Sequence, residues 1–340
     1  MYKIAIVILN WNGRKFLERF LPGVVRHSSS PGVKIIIADN GSSDDSVEFI
    51  RNKFKNVEII ELDKNYGFAG GYNKALKKIN SEYYILLNSD VEVSENWIEP
   101  IIKKMDDDQD VAAAMPKILS YKNRSKFEYA GAAGGFIDKW GYPFCRGRML
   151  NNIEPDNSQY NNSIEIFWAS GACLFIKSTI FHDAGGFDDD FFAHMEEIDL
   201  CWRIKNLGYK IYCYPCSQVY HIGGGTLPNE TPVKLFLNFR NSLWLLLKNL
   251  PDKKLNPVLL IRKILDGLAA MKFYLTFDWK KGNAIFKAHI SYYRHLRKMK
   301  QKRKSANFKN KDLPSSVYNK SILISYFLKK KKTFNELDWQ

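Results

Sequence analysis

The sequence is poor in cysteine and has no uninterrupted apolar stretch of transmembrane length. Its five cysteines among 340 residues are an odd number and are scattered along the chain, so a disulfide framework is not expected and a reducing cytoplasm is favoured. The Cys213-Tyr-Pro-Cys216 spacing leaves a redox or zinc pair open, but a second such pair is missing, which favours buried free thiols. The apolar stretches fall short of the roughly 20 residues that span a bilayer. No charged leader with a cleavage site precedes the first apolar run, so no export signal is expected.

Acidic residues are scarce in the C-terminal third of the chain. Residues 1–232 hold 26 Lys and Arg against 30 Asp and Glu, whereas residues 233–340 hold 25 against 6, a net charge of +19. This asymmetry indicates a separate surface for an anionic partner, either a membrane or a nucleic acid. Helices packed on the rest of the chain with a solvated basic tail are the alternative. No recognisable nucleic-acid module accompanies the charge, so nucleic-acid binding is not expected.

The same region contains helix-length apolar segments that charged residues interrupt. Val233–Leu250 and Pro257–Phe277 are of this kind, and nine Lys or Arg follow in Arg294–Lys311. In the second segment the spacing places one set of side chains on a charged helix face and another set on an apolar face, which suits a helix lying on a membrane surface. The charged set is Arg262, Lys263 and Asp266, and the apolar set is Leu259, Leu260, Ile264 and Leu268.

The first 116 residues alternate between short apolar runs and helix-like segments. The runs are Ile4–Leu9, Val33–Ala38, Val57–Leu62, Tyr83–Leu87 and Val111–Met115, and the helix-like segments include Ser46–Phe54, Asn73–Ile79 and Asn96–Met105. The runs lack the alternating polar pattern of half-exposed strands, which favours strands buried on both faces. Strands that alternate with helices predict βαβ units and a parallel sheet with right-handed crossovers.

Polar residues follow these apolar runs where the predicted strands end. Asn10, Asp39 and Asp90 are in such positions, and ligands of parallel sheets bind in the crevice beyond the carboxyl ends of the strands. A carboxylate at Asp90 suits a hard divalent cation that also holds phosphate oxygens, although an acid after a strand also forms turns or caps helices. Asp39 suits hydrogen bonds to a base or ribose, and the turn chemistry of the following residues is the alternative.

Two further segments carry candidate chemistry. Asn65–Asn73 contains three glycines ahead of a helix, which allows close approach of backbone amides to an anion. A later helix carries Glu196, Glu197 and Asp199 and ends near Gly208. A carboxylate beside a cleft is the simplest general base for a sugar hydroxyl, whereas acids at a helix start also complement its dipole. His221, ahead of glycines that run to Gly225, is either a hydrogen-bonded structural residue or a metal ligand.

The order of these elements resembles that of the family 2 inverting glycosyltransferases, in particular the branch of rhamnosyltransferases and related cell-surface polysaccharide enzymes. The resemblance covers about residues 3–245. The motifs that carry it are, in chain order, Asn10-Trp11-Asn12-Gly13, Asp39-Asn40-Gly41-Ser42, Asn65 to Asn73, Asn88-Ser89-Asp90, Ser170-Gly171-Ala172, Glu196-Glu197-Ile198-Asp199 and His221.

The resemblance implies an α/β fold of the GT-A type, which is Rossmann-like, with a mostly parallel central sheet flanked by helices. The catalytic domain would be residues 1–232, with a nucleotide-sugar half of about 1–116 and an acceptor half of about 117–232. Residues 233–340 would form a basic, mainly helical C-terminal region.

The resemblance also implies roles for individual residues. The donor and nucleotide site would contain Asn10, Asn12, Asp39, Asn65, Gly67, Gly70, Gly71, Asn73, Asn88, Ser89 and Asp90. The metal, Mg²⁺ or Mn²⁺, would be held by Asp90 and His221, since Asn88 replaces the first acid of the family's metal motif. The catalytic acids would be Glu197, Glu196 and Asp199, with Glu197 at the position of the base and Glu196 open as an alternative. The acceptor side would contain Trp168, Ser170, Gly171 and Ala172.

The expected activity is transfer of a sugar from a nucleotide-diphosphate sugar, with deoxythymidine-diphosphate rhamnose favoured, to a hydroxyl of a glycan or lipid-linked acceptor in cell-surface polysaccharide synthesis. The expected location is the cytoplasm, peripheral on the inner face of the membrane. A sugar nucleotidyltransferase is the alternative enzyme, but Asn10–Gly13 lacks the basic, glycine-rich triphosphate loop it would need. A non-catalytic sugar-binding or membrane scaffold is the other alternative, which the intact acids and His221 disfavour.

Overall fold

The computed structural model describes residues 2–223, 231–305 and 312–339 of the chain. Gly225 of the glycine run and residues 306–311 of the basic segment lie outside the described residues. The strands are β1 Tyr2–Asn10, β2 Val33–Asp39, β3 Glu58–Glu61, β4 Ser81–Asn88, β5 Val91–Val93, β6 Val111–Ser120, β7 Gly135–Asp138, β8 Pro143–Cys145, β9 Arg148–Met149, β10 Asn152–Ile153, β11 Ile164–Glu165, β12 Cys173–Lys177, β13 Lys210–His221 and β14 Val317–Tyr318.

The helices flank these strands and fill the C-terminal third. They are α1 Arg14–Arg26, α2 Ser46–Lys53, α3 Gly67–Leu76, α4 Glu99–Asp107, α5 Ser178–Asp183, α6 Glu196–Asn206, α7 Pro232–Asn249, α8 Asp252–Leu275, α9 Trp279–Arg294 and α10 Leu296–Ser305. Short helical turns cover Asp189–Phe191, Ile324–Leu328 and Phe334–Glu336.

Within the described ranges, nine strands form the central sheet in the order β11-β13-β6-β12-β4-β1-β2-β3, with β5 paired to β13. β1 to β4 are parallel to one another, as the alternating pattern predicts, whereas β12 runs antiparallel between β4 and β6. The register pairs Asn10 with Asp39 and Leu9 with Asn88. The polar residues that follow three of the strands are therefore brought to one edge of the sheet.

The five predicted strands are confirmed, and two of the predicted helices begin elsewhere. The helix predicted at Asn73–Ile79 begins at Gly67, because Gly67 has a φ of +71° and enters the helix directly from the preceding loop. The helix predicted at Asn96–Met105 begins at Glu99, since Asn96 has a φ of +52° and belongs to a turn.

Residues 117–165, expected to be loops with a few strands, build most of a second sheet. Its order is β10-β9-β8-β7-β14, and β14 from the C-terminal region pairs in parallel with β7 through Val317 and Ile137. The Phe334 and Trp339 rings lie 5.1 and 5.0 Å from the ring of Phe136. The C-terminal segment that carries Val317, Phe334 and Trp339 is therefore packed into this second sheet.

Helix α7 joins the C-terminal helices to the body of the molecule. Its residues Leu243–Leu247 are all buried. At its end, Lys248 Nζ donates to Asp188 Oδ2 at 2.6 Å and to Asp199 Oδ2 at 2.8 Å, and Asn249 Nδ2 donates to Asp199 Oδ1 at 2.8 Å. Because α6 carries Asp199, this buried network fixes α6 against α7.

The structure corrects two further expectations. All five cysteines are free thiols, and four are buried as expected, but Cys216 is exposed. On α8, Arg262 and Asp266 share a face as expected and Leu260, Ile264 and Leu268 are exposed on another, but Leu259 is buried. No helix in the described ranges is both long and apolar enough to cross a membrane.

We predict that Lys248→Met destabilises the fold by about 3 kcal/mol, because removing one partner of a buried ion pair leaves the other charge uncompensated. Urea unfolding at neutral pH measures the loss. Lys253→Met, at an exposed position on α8, is the matched control and should change the free energy of unfolding by less than about 0.5 kcal/mol.

The same pair predicts a pH dependence. Burial alone raises the pKa of Asp188 and Asp199, but Lys248 outweighs it and lowers both pKa values. Carboxylates with lowered pKa values stabilise the fold above their unfolded pKa of about 4 and lose that contribution as pH falls towards the folded pKa. Wild type should therefore lose more stability than Lys248→Met when acidified below about pH 4. Equal losses would show that Lys248 does not control these carboxylates.

Candidate active site

The edge of the sheet beyond β1 and β2 is organised by one asparagine. Asn10 Nδ2 donates to Asp39 Oδ1 at 2.9 Å and to the hydroxyls of Ser42 and Ser46 at 3.1 and 2.9 Å. Asp39 Oδ2 accepts from the Ser42 amide at 3.0 Å. Asp39 is buried with both oxygens engaged inside the protein, so only its second lone pairs remain for a nucleotide base.

Asn12 fixes the loop that follows β2. It has a φ of +51°, and its Oδ1 accepts from the Ser43 amide at 2.7 Å. Trp11 beside it is half exposed. The side-chain amides of Asn10 and Asn12 thus hold the loop in place. Trp11 and the loop itself form the exposed surface at this edge.

Asn40 joins this loop to the glycine-rich segment. Its Oδ1 accepts from the Tyr66 amide at 3.0 Å, and its Nδ2 donates to Asn65 Oδ1 and to the Gly67 carbonyl, both at 3.0 Å. Asn65 is exposed and its Oδ1 also accepts from the Gly67 amide at 2.8 Å. The segment that begins with Asn65 is therefore placed at the same edge as Asp39.

Gly70 and Gly71 serve internal packing, which corrects the expectation that they let a ligand approach. A Cβ on Gly71 would lie 2.8 Å from Leu9 Cδ1, and one on Gly70 would lie 3.1 Å from Tyr66 Cβ. Gly67 lies beneath the ring of Phe192, and a Cβ on Gly67 would lie 3.0 Å from Phe192 Cδ2. These glycines allow α3 to pack closely against β1 and the neighbouring loop.

Asn73 is likewise committed inside the protein, which does not fit the donor role expected for it. Its Nδ2 donates to the Phe187 carbonyl at 2.8 Å and to Asp189 Oδ1 at 2.6 Å, while its Oδ1 accepts from the Phe187 amide at 2.9 Å. Asn73 thereby ties α3 to the segment that leads into α6.

Asp90 and His221 are brought together by the pairing of β5 with β13, in which Val91 lies opposite His221. His221 Nε2 is 3.2 Å from Asp90 Oδ1, and its Nδ1 is 3.5 Å from Glu128 Oε1. All three side chains are buried. Although burial alone lowers the pKa of His221, the neighbouring carboxylates Asp90 and Glu128 outweigh it and raise the pKa to about 10. Sequence reasoning missed Glu128, which had no motif to mark it.

One carboxylate and one neutral imidazole would suit a divalent cation that takes its other ligands elsewhere, and the cation would have to displace the proton that Asp90 and Glu128 favour on the His221 ring. Across the described ranges, no three His, Cys, Asp or Glu side chains are grouped so that they could hold an ion, so the protein supplies two donors at this point and the phosphate oxygens of a substrate would complete the set. Asn88 and Ser89, just before Asp90, are half-buried. The hydroxyl of Ser89 lies 3.7 Å from where a Cβ on Gly13 would be, which places it at the same edge as Asn10.

Glu196 and Glu197 begin α6 after a strained turn. Phe192, His194 and Met195 all have positive φ, at 63°, 68° and 72°, a conformation that side chains other than glycine seldom adopt. In the part of the chain that the structure describes, Oε2 of each glutamate is buried without a hydrogen-bond partner. Burial raises the pKa of both carboxyls, and the charge of Glu197 raises that of Glu196 further.

The two glutamates differ in access. Glu196 is buried as a whole residue, whereas Glu197 is half-buried although its Oε2 is buried. Asp199, the third expected catalytic acid, is fully buried and accepts from Lys248, Asn249 and Arg203, the last at 2.9 Å. Its expected catalytic role does not fit this placement, because its carboxylate is neutralised and shielded.

The strained turn is held by α7. Asn241 is fully buried, and its Nδ2 lies 3.0, 2.9 and 2.8 Å from the carbonyl oxygens of Phe191, Ala193 and His194. Arg240 Nε donates to Asn241 Oδ1 at 2.9 Å, which fixes the orientation of the amide. This pair, whose role the sequence left open, positions the start of α6.

The residues expected on the acceptor side are buried. Trp168 Nε1 donates to the Phe136 carbonyl at 3.0 Å, and its ring covers Gly135. The Ser170 hydroxyl donates to the Ala130 carbonyl and accepts from the Ala172 amide at 3.2 Å. The expected contact of Trp168, Ser170 and Ala172 with an acceptor does not fit, because all three are buried and the polar groups of Trp168 and Ser170 are bonded inside the protein. Gly171 is also buried and lies against the Phe68 ring.

Phe192 is an aromatic residue at the site that sequence reasoning missed. Its ring is more than half exposed and lies over Gly67, between the glycine-rich segment and the turn that carries the glutamates. An exposed ring at this point offers an apolar face to a sugar or base. The only sequence signal was an aromatic pair, Phe191-Phe192, just ahead of the acids.

Parts of the chain are similar in sequence to known proteins. Residues 5–167 match the family model described as glycosyl transferase family 2. The chain is 25% identical over 251 residues, 64% of this chain and 75% of the relative, to the N-acetylglucosaminyl-diphospho-decaprenol L-rhamnosyltransferase of Mycobacterium tuberculosis. It is 22% identical over 245 residues, 70% of this chain and 73% of the relative, to the low-salt glycan biosynthesis hexosyltransferase Agl10 of Haloferax volcanii.

Solved structures with the same fold are glycosyltransferases. The structure of GalNAc-T7 with UDP, GalNAc and Mn²⁺ matches with a TM-score of 0.56 at 16% identity. The match covers 75% of this chain and 49% of the GalNAc-T7 chain. The mannosyltransferase PcManGT from Pyrobaculum calidifontis, in complex with GDP-Man and Mn²⁺, matches with a TM-score of 0.53 at 12% identity over 89% of this chain and 84% of that chain. At these identities the likeness shows the GT-A fold alone.

We predict that Asn241→Ala lowers the turnover number about a hundredfold, because small misplacements of a catalytic group are that costly. Asn238→Ala, one turn earlier on α7, is the matched control and should keep the wild-type turnover number. The acid limb of the pH–rate profile should also move in Asn241→Ala but not in the control, since the burial of the glutamates changes. Wild-type turnover and an unmoved acid limb in Asn241→Ala would show that the turn holds its shape without this amide.

Proposed function

We propose that this chain, whose residues 5–167 match the family model described as glycosyl transferase family 2, moves a sugar from a nucleotide-diphosphate sugar to an acceptor hydroxyl with inversion at the anomeric carbon. The observation that carries the proposal is the half-buried residue Glu197, whose Oε2 has no hydrogen-bond partner among the described residues and whose carboxyl has a raised pKa. A carboxylate of this kind is a competent base near neutral pH.

Glu197 accepts the proton of the acceptor hydroxyl as that oxygen attacks the anomeric carbon from the face opposite the leaving diphosphate. Such a single displacement inverts the anomeric configuration. Glu196 stays protonated because burial and the Glu197 charge raise its pKa. Asn241 and Arg240 hold the turn before α6 so that Glu197 meets the acceptor in a fixed orientation.

Asp90 and His221 hold Mg²⁺ or Mn²⁺ together with the donor diphosphate. When bound, this ion neutralises the charge that develops on the leaving diphosphate. Glu128 contacts the other imidazole nitrogen of His221 and orients the ring. Asp39, Asn65 and the loop fixed by Asn10 and Asn12 form the nucleotide side of the site.

The donor we propose is deoxythymidine-diphosphate rhamnose, and the acceptor is a glycan or lipid-linked glycan in cell-surface polysaccharide synthesis. The name of the Mycobacterium tuberculosis relative, a rhamnosyltransferase acting on a decaprenol diphosphate-linked sugar, supports both. We place the enzyme in the cytoplasm, peripheral on the inner face of the membrane, because the C-terminal third carries the whole basic excess. A panel of donors, scored by nucleoside-diphosphate release, tests the donor.

We predict that Glu197→Gln binds the donor as wild type does but loses most of its turnover, about 10² to 10⁴-fold, since that is the usual contribution of a general base. Donor affinity is measured by calorimetry and turnover by nucleoside-diphosphate release. The rate of wild type should rise with pH until Glu197 is ionised, and its acid limb should lie above the usual range for a glutamate because the pKa is raised.

Glu196→Gln is the matched control for this variant, because it lies beside Glu197 and already carries a proton in the proposed mechanism. It should retain much more activity than Glu197→Gln. An inactive Glu196→Gln beside an active Glu197→Gln would reverse the assignment of the base.

We predict that EDTA abolishes transfer and that Mn²⁺ or Mg²⁺ restores it. Asp90→Asn should weaken the binding of Mn²⁺ in the presence of donor, measured by electron paramagnetic resonance, because the ion loses its only carboxylate ligand from the protein. Asp63→Asn, at an exposed acid on the loop before α3, is the control and should bind the ion as wild type does. Full activity after exhaustive chelation would remove the metal from the mechanism.

A further inference from the structure

Helix α8 is packed with its charged face inward. Arg262 and Asp266 lie on the buried side of the helix and are themselves buried. Arg262 Nε donates to Asp266 Oδ1 at 3.0 Å, and the guanidinium lies 3.8 Å from the centre of the Tyr142 ring. Arg262 Nη1 donates to the Gly141 carbonyl at 3.3 Å, and His289 Nε2 lies 3.2 Å from Asp266 Oδ2. These contacts fix the rotation of α8 about its axis.

The face that this rotation turns outward is apolar. Its side chains follow one another at spacings of four, four, three and four residues, which is one stripe along a helix. Each of them is at least half exposed: Leu260, Ile264, Leu268, Met271 and Leu275. We call this set the α8 stripe.

The exposed apolar surface continues past the end of α8. Phe277 and Trp279 in the turn to α9 are more than half exposed, and so is Phe286 on α9. Exposed apolar patches of this extent are uncommon on the surface of a soluble monomer and mark interaction sites. Because a buried ion pair fixes the helix, the α8 stripe cannot turn inward without exposing or unpairing Arg262 and Asp266.

Positive charge surrounds the stripe. Residues 252–305 carry 15 Lys and Arg against 3 Asp and Glu. Lys253 and Lys254 lie at the start of α8, Lys272 lies near its end, and Lys280 and Lys287 lie on α9, all of them exposed. An apolar stripe among lysines matches the chemistry of an anionic bilayer surface, with acyl chains beneath and phosphate groups beside the helix.

We propose that the α8 stripe, extended by Phe277 and Trp279, lies in the interface of an anionic bilayer and is the membrane-docking surface of the protein. The inference rests on the peripheral membrane location in the proposed function and deepens it by naming the surface. A second copy of the chain is the other possible occupant of this face, but the lysines of both copies would then be brought together, which like charges oppose.

The test compares the full-length protein with Leu268→Glu/Leu275→Glu by sedimentation with vesicles of phosphatidylglycerol and phosphatidylcholine in equal parts. The two acids remove apolar surface and add like charge to the lipid, so binding should fall at least about tenfold. Lys77→Gln/Lys78→Gln, at exposed positions after α3, changes the net charge by the same two units and should bind as wild type does. Wild type should bind pure phosphatidylcholine vesicles much more weakly.

Vesicle binding is measured without donor, so it fails or succeeds independently of sugar transfer. Circular dichroism and nucleoside-diphosphate release with a soluble acceptor confirm that the double variant is folded. Equal vesicle binding by wild type and Leu268→Glu/Leu275→Glu would overturn the proposal. So would a wild-type dimer that becomes monomeric in this variant and does not bind vesicles in either form, since the stripe would then be a contact between copies.

Discussion

The buried carboxylate of Asp199 is the constraint on which the rest of this structure depends. It lies on the inner face of α6, and Arg203, Lys248 and Asn249 donate to it. A charge buried this deeply is tolerated only with partners in fixed positions. The carboxylate therefore ties α6, the helix that begins with Glu196 and Glu197, to α7 and, through α7, to the C-terminal helices.

The same junction explains how a strained turn persists at the site. Phe192, His194 and Met195 adopt positive φ values that nothing in their own sequence favours. Asn241 lies about two turns before Lys248 and Asn249 on α7, and its amide holds the carbonyls of this turn. Glu196 and Glu197 are left with buried oxygens and raised pKa values as a consequence. Strain at the turn and the raised pKa values of the two glutamates are thus two results of one packing arrangement.

The C-terminal third has two roles that composition alone would not separate. Part of its charge is structural: Lys248 neutralises acids in the core, and Arg262 pairs with Asp266 under α8. Exposed lysines on α8 and α9 surround an outward apolar stripe. Because the buried ion pairs fix the helices, the packing of the helices determines which way that stripe faces.

Pattern and order in the sequence determined the parallel strands, the edge where polar residues collect, and the resemblance to family 2 glycosyl transferases. These features depend on local periodicity and on neighbours along the chain, as with Asn10, Asp39 and Asp90 at the ends of β1, β2 and β4. Tertiary structure decided which polar residues are free to act. Asn73, Asp199 and Trp168 belong to the sequence motifs, but their side chains are engaged in contacts inside the protein. Glu128 and Phe192 lie at the site although no motif contains them. The difference is physical, because a side chain's partners come from segments distant along the chain, and burial and pairing are properties of that assembly.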